Sequence, residues 1–424
     1  MKAATTNRDH VLSVATAAMQ RLQLQADHPD ALPPELRLAE TSAEAAELAH
    51  ALRRSLHWAK TEERALAQRG QLDDLQPDVP YISRDPVLSL VQSGINASPA
   101  PEAAVPAFAA HEAAAEPHTA ALHDMPLRSV VAHVALSQKP RHPITGWTNL
   151  DDFRFDEPKE TWTVAMMGDW GTASPGALKV ADQIAALRPD HVIHLGDIYT
   201  TGTPAECQAN FVDVWKPRKP ENTRIWAMCG NHEMYSGGDG YYGLVLPFCN
   251  QPASYFNLGN RHWRLIAIDT GHTEYRVDAP QPEWIRHQLS EEGPRKIVLS
   301  HHQMFSAADE RPVKFNMRGV LGPYAQQHTV HGWVMAHEHD AGVYRADPTL
   351  GGMRSCILGH GGQPVSRYSG VVPGSTAPAL RKSWNVKRPD GKLKNGFALF
   401  TFDGAGLRVR YVDEDGDTWY QEKW

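Results

Sequence analysis

The sequence predicts an α/β protein with a helical N-terminal extension, and three observations lead there. From about Thr161 onward, short β-branched and apolar runs ending in Gly, Asp, Asn or His alternate with amphipathic stretches. Upstream, apolar residues recur at helical rather than strand spacing. At the far end, apolar runs separated by turn glycines point to an antiparallel β finish.

Taken in order, His10 to Gln71 is rich in Ala, Leu, Glu and Arg and reads as a helical hairpin. Ala45, Leu48, Ala49, Leu52, Leu56 and Ala59 form the apolar stripe of its second helix, and Thr41 with Glu44 forms a capping box at its start. Gly94 to His123 is dominated by Ala, Pro, His and Glu, with too little large apolar surface to offset ordering, and reads as a linker. The expected divisions are a helical region over 1–93, a linker over 94–125, a connecting segment over 126–160 and the α/β domain over 161–424.

Within that domain, strands are expected at Thr163–Met167, His191–Leu195, Arg224–Met228, Arg264–Ile268, Lys296–Leu299 and Gly332–Met335. Ala177–Arg188 fits a helix, with Leu178, Ala181, Ile184, Ala185 and Leu187 mainly on one side. Phe397–Phe402, Leu407–Val412 and Thr418–Gln421 form the β finish. No repeat, heptad or Walker-type glycine loop is present in the sequence.

The balance of 42 basic against 49 acidic residues, a formal charge of -7, argues against a broad nucleic-acid or anionic-membrane surface. The N-terminal stretch lacks the apolar run of a secretory signal, and charges interrupt every candidate membrane span. The four cysteines, Cys207, Cys229, Cys249 and Cys356, have neither zinc-knuckle nor disulfide-framework spacing. These features predict a soluble protein of the reducing cytoplasm.

Twenty-two histidines direct attention to metal chemistry. Nearly every apolar strand of the second half is followed at once by a metal-competent side chain, and in open α/β sheets ligands bind beyond the carboxyl ends of strands. Asp169 lies in Gly168-Asp169-Trp170-Gly171, Asp197 in Gly196-Asp197-Ile198-Tyr199, and Asn231 in Gly230-Asn231-His232-Glu233. His301 follows Val298-Leu299-Ser300, and His337 and His339 fall in Ala336-His337-Glu338-His339. Carboxylate, carboxamide and imidazole donors without thiolate suit Mn, Fe or Zn in a catalytic rather than a structural site. A His-x-His pair in extended chain puts both rings on one side, roughly 6–7 Å apart along the backbone.

This ordered set resembles the calcineurin-like metallophosphoesterase superfamily, over roughly Trp162 to Trp424. The resemblance implies a four-layer α/β/β/α sandwich and two metal ions, one held by Asp169, Asp197 and His339, the other by Asp197, Asn231, His301 and His337. It implies hydrolysis of a small phosphomonoester or phosphodiester by a metal-bridging hydroxide, with His232 as proton donor or charge stabiliser at the leaving oxygen. A nuclease or cyclic-nucleotide phosphodiesterase is the rival enzyme; a metal-bound scaffold that docks a partner is the rival from another class.

Three departures from the family pattern stand out. Gly171 occupies the place where many members carry His, giving the Gly-Asp-x-Gly form of the purple acid phosphatase branch. That branch places a Tyr three residues after the bridging Asp; here Thr200 is there and Tyr199 lies one residue early, either a ligand or a packing residue. Ala336 replaces a Gly and adds only a methyl group. Other candidates keep two readings: His302 as a site neighbour or a packed ring, His194 as a core histidine or one orienting the loop, and His360 as a site residue or part of a glycine-rich turn. Met234 to Tyr242 is either an aromatic-lined substrate loop or a turn folded onto the core. Lys314, Arg318, Arg345 and Arg354 steer phosphate or are solvated, and Glu233 braces its loop.

Overall fold

The computed structural model describes residues 8–68, 83–98, 127–307, 311–327, 330–363, 375, 377–389 and 391–424. The chain divides into two compact units, Met1–Arg141 with Tyr235–Gly237, and His142–Met234 with Gly238–Trp424. Among the described residues no helix is long and apolar enough to cross a membrane.

In the first unit the expected hairpin is present as α1 (Arg8–Asp27) and α2 (Ser42–Gln68); 69–71 lie outside the described residues. Thr41 caps α2 by accepting the Glu44 N–H at 3.1 Å, but Glu44 accepts the N–H of Glu40 rather than that of Thr41, so the box is only half closed. A third helix, α3 (Pro86–Ala97), starts at Asp85, which accepts the N–H groups of Val87 and Leu88 ahead of a proline in the first turn. It runs through Gly94, where the linker was expected to begin, because Val87, Leu88, Val91 and Ile95 pack with Val11, Val14 and Leu52 in one core. Gly94 is needed there: a Cβ would fall 2.5 Å from the Val130 Cα. The remainder of the expected linker, 99–125, lies outside the described residues.

The second unit begins upstream of Thr161, because β1 (Arg154–Asp156) is already paired into a sheet. The strands that follow are β2 (Thr161–Met167), β3 (His191–His194), β4 (Arg224–Ala227), β5 (Phe256–Gly259), β6 (Trp263–Ile268), β7 (Arg295–Ser300), β8 (Gly332–Met335), β9 (Ala341–Tyr344), β10 (Arg354–Leu358), β11 (Leu380–Ser383), β12 (Gly396–Asp403), β13 (Gly406–Asp413) and β14 (Thr418–Lys423). They form an eight-stranded sheet in the order β1-β5-β6-β7-β8-β10-β9-β11 and a six-stranded sheet in the order β14-β13-β12-β2-β3-β4. β2, β3 and β4 are mutually parallel, as are β6, β7, β8 and β10. β12, β13 and β14 form the expected antiparallel finish, added to the edge of β2.

Strands buried on both faces explain why the sequence reads as apolar runs rather than alternation. On β2, Trp162, Val164 and Met166 face a core shared with Leu265, Leu299 and Val334 of the other sheet. Ala165 and Met167 face outward, against Val180, Ala181 and Ile184 of α4 (Pro175–Leu187). The outer face of the eight-stranded sheet is covered by Trp284, Ile285 and Leu289 of α5 (Gln281–Ser290) and by Leu321, Tyr324 and Ala325 of α6 (Met317–Gln327). The layers are therefore helix, sheet, sheet, helix.

Candidate functional site

All six candidate ligands lie just past the carboxyl ends of parallel strands. The six-stranded sheet delivers Asp169, Asp197 and Asn231 after β2, β3 and β4; the eight-stranded sheet delivers His301 after β7, and His337 and His339 after β8. Asp169, Asp197 and His337 have left-handed backbones, with φ of 55°, 76° and 69°. A non-glycine residue accepts that conformation only where surrounding structure imposes it. The glycines beside them are required by close approach. Gly196 has φ +108°, and a Cβ there would stand 2.6 Å from His301 Nδ1; a Cβ at Gly230 would stand 2.1 Å from Asp197 Oδ1.

Asp197 is central. Its Oδ1 accepts the His232 N–H at 3.1 Å and lies 3.4 Å from His301 Nε2, while Oδ2 accepts from Tyr199 at 3.0 Å. The same phenol lies 2.9 Å from Asp169 Oδ1 and 3.0 Å from His339 Nε2. Asp169 Oδ2 accepts the His337 N–H at 2.8 Å. Opposite, His301 Nδ1 donates to the Leu195 carbonyl at 2.9 Å, which turns Nε2 toward Asn231 Oδ1 and His337 Nδ1, each at 3.1 Å. His337 Nε2 lies 2.7 Å from Tyr275 Oη.

Acceptors outnumber protons in this set. The single Tyr199 proton faces two carboxylate oxygens, and His301 Nε2 faces a carboxamide oxygen, a carboxylate oxygen and a second imidazole nitrogen. A cation satisfies such an arrangement, and the mixture of O and N donors suits a borderline metal. The charges are strongly interdependent. Burial works against the Asp197 carboxylate, but the His301 and His232 rings outweigh it and hold that carboxyl well below its ordinary range. Burial likewise depresses His301, and the adjacent Asp197 more than compensates, lifting it to about 9. Of the six residues only His339 is not buried, its side chain being 20% exposed, so the cluster opens to solvent on that side.

The departures from the family pattern now have physical accounts. No side chain fits at Gly171: a Cβ would meet the Ile198 Cα at 2.8 Å and the Asp197 carbonyl at 2.9 Å, because Gly171 bridges to Ile198. Tyr199 brings its hydroxyl to Asp169, Asp197 and His339 despite lying one residue early in the sequence, and burial together with the two carboxylates pushes its pKa well up. Ala336 is matched to Gly168: a Cβ on that glycine would fall 2.4 Å from the Ala336 methyl, so the methyl occupies space that Gly168 leaves open.

The neighbours separate into two groups. His232 is buried beside the cluster, its Nδ1 donating to the Thr200 carbonyl at 2.5 Å and its ring 4.5 Å from that of Tyr199. Nε2 stands 3.9 Å from Asp197 Oδ2. Burial pulls His232 below the usual histidine range, against the pull of Asp197. Glu233 braces the loops, accepting the N–H groups of Asp197 and Gly230; burial and Asp197 push its carboxyl up to about 8. His302 packs beside the site, its ring 4.5 Å from His337 and 4.2 Å from Tyr275.

The other histidine and aromatic candidates turn inward, whereas Lys314 and Arg345 are exposed. His194 packs against Phe211 and Trp170 in the helix-side core, and the His360 ring packs on Trp384 at 4.4 Å. Tyr241 and Tyr242 fold into the core, Tyr241 donating to the Ala227 carbonyl, which settles the glycine-rich segment as a turn folded inward. Arg318 and Arg354 are paired with Asp347 and Glu422; Lys314 lies over the Phe315 ring, and the Arg345 N–H donates to the Ala379 carbonyl.

Two supporting residues went unread in the sequence. Glu206 accepts the N–H groups of Thr200, Thr201 and Thr203 and so shapes the loop that bears Tyr199. Its signal was available: Thr203-Pro204-Ala205-Glu206 is a capping box with proline in the first turn. Tyr275 reaches His337 across 62 residues and has no local signature.

Residues 163–341 match the calcineurin-like phosphoesterase family. No curated protein matches the sequence. Among solved structures, a purple acid phosphatase from yellow lupin seeds aligns at 18% identity and TM-score 0.49, over 62% of this chain but only 53% of its own. GAP50, the anchor in the inner membrane complex of Plasmodium, aligns at 16% identity and TM-score 0.47, over 62% of this chain and 89% of its own. A dimetal phosphatase from Danio rerio aligns at 13% identity and TM-score 0.40, over 62% and 98%.

Proposed function

We propose, from the match of residues 163–341 to calcineurin-like phosphoesterases, that the chain is a metal-dependent phosphoesterase acting on a small phosphomonoester or phosphodiester. The observation that supports this most strongly is the convergence of six side chains from two sheets on one cluster in which acceptors outnumber protons. Asp169, Asp197 and His339 would hold one ion, with the Tyr199 oxygen in place of the imidazole that Gly171 excludes. Asp197, Asn231, His301 and His337 would hold the other, Asp197 being shared. Two ions such as Mn, Fe or Zn, when bound, supply Lewis-acid polarisation of water and of the ester and offset charge on the phosphoryl group.

The protein's own groups do the rest. With Nδ1 committed to Thr200, His232 exchanges a proton at Nε2, the nitrogen facing the cluster, and so can serve the leaving oxygen. Glu233 keeps the Asp197 and Asn231 loops in register. A reducing cytoplasm suits the four buried, free cysteines.

The test is hydrolysis of p-nitrophenyl phosphate and bis-p-nitrophenyl phosphate by chelator-stripped protein with Mn, Zn and Fe restored singly. Metal-dependent turnover that falls by roughly two orders of magnitude or more in His232→Ala, and is abolished in Asp197→Asn, supports the reading. Two ions bound without turnover on either ester would point to a scaffold.

A further inference from the structure

We propose that Tyr275 is a positioning residue that sets the tautomer of His337 and so decides which way that ring offers its lone pair. The inference rests on the proposed role of His337 as a metal ligand. Tyr275 Oη lies 2.7 Å from His337 Nε2, while Nδ1 of the same ring points into the cluster, 3.1 Å from His301 Nε2. A phenol can accept from Nε2–H or donate to a bare Nε2; with Nδ1 offered to an ion only the accepting arrangement is open, so the phenol oxygen holds the proton at Nε2 and Nδ1 keeps a lone pair aimed at the cluster. The opposite tautomer would aim a proton there.

Tyr275 is held where it can make that choice. Its ring lies parallel to Phe315 at 4.2 Å and 10°, and its opposing contacts are His302 at 4.2 Å and His337 at 5.4 Å and 89°. The residue is 4% exposed, and its backbone is left-handed, with φ 61°. A bulky side chain in that conformation is fixed by its surroundings, so the phenol cannot swing away and be replaced by water.

The experiment uses the full chain with 15N-labelled histidine, His337 being assigned by its loss in His337→Gln. Long-range 1H–15N spectra of metal-free wild type should show the Nε2–H form at His337, and Tyr275→Phe, which retains the stacking ring, should show a mixture or the Nδ1–H form. In the same variant, ion affinity should fall about 10- to 100-fold at one site and stay unchanged at the other. Phe315→Leu, which loosens the stack but keeps the hydroxyl, reads the same tautomer if Tyr275→Phe does not fold, and should give a partial mixture. An unchanged Nε2–H tautomer in these variants overturns the assignment. Wild type that binds no ion would overturn the dinuclear reading alone, since the tautomer is measured without metal.

Discussion

At the residue scale, Tyr199 shows how a side chain can reach the cluster from an unexpected place. The sequence places a tyrosine one residue short of the expected spacing, and only the folded loop, organised by Glu206, carries its hydroxyl to Asp169, Asp197 and His339. The six residues at strand ends were legible because five apolar strands lead into them, His337 and His339 sharing one. Tyr199 and Tyr275 were harder to read because loop geometry, not periodicity, places them. Burial and two carboxylates keep the Tyr199 phenol protonated in the absence of metal. An ion that takes its oxygen must therefore displace a proton, and affinity at that site should rise with pH. Titrations with Mn or Zn from pH 6 to 8 should show a weaker pH dependence in Tyr199→Phe, and affinity lower by about 10- to 100-fold at one of two sites.

At the scale of elements, the strand set Thr163–Met167 to Gly332–Met335 was read to within a residue or two because each strand is buried on both faces and leaves an unbroken apolar run. β1, β5, β9, β10 and β11 were not read: they are three to five residues long, and β11, with Arg381 and Lys382 on an edge, has no apolar signature. The strand end at Ala336 gives a specific expectation. Its methyl fills the space over Gly168, so Ala336→Gly, although it restores the family's usual residue, should lower unfolding stability by roughly 1–2 kcal/mol through a lost buried methyl and added chain freedom. Chemical denaturation of the variant beside wild type measures this; equal midpoints and slopes would show that the methyl is not in contact.

At the scale of the whole molecule, buried neutral histidines make the fold acid-sensitive. Burial drives His360 down to about 3, against about 6.5 for an exposed histidine. Between those values the unfolded chain binds a proton that the native state does not, so this contribution is full above about pH 6.5 and is lost toward pH 3, at about 1.4 kcal/mol per pH unit. Urea midpoints measured from pH 7 to 4 should fall less steeply in His360→Gln than in wild type, relative to each protein's own value at pH 7. The position of the cluster adds a second dependence. Three of its donors stand on the six-stranded sheet and three on the eight-stranded sheet, so an ion held among them would act as a rivet between layers joined by apolar packing and a few cross-sheet polar contacts. Ligand-linked stability then follows: at a free ion concentration 100 times its dissociation constant, each site adds about 2.7 kcal/mol, and the melting temperature should climb with the logarithm of metal concentration and drop on chelation.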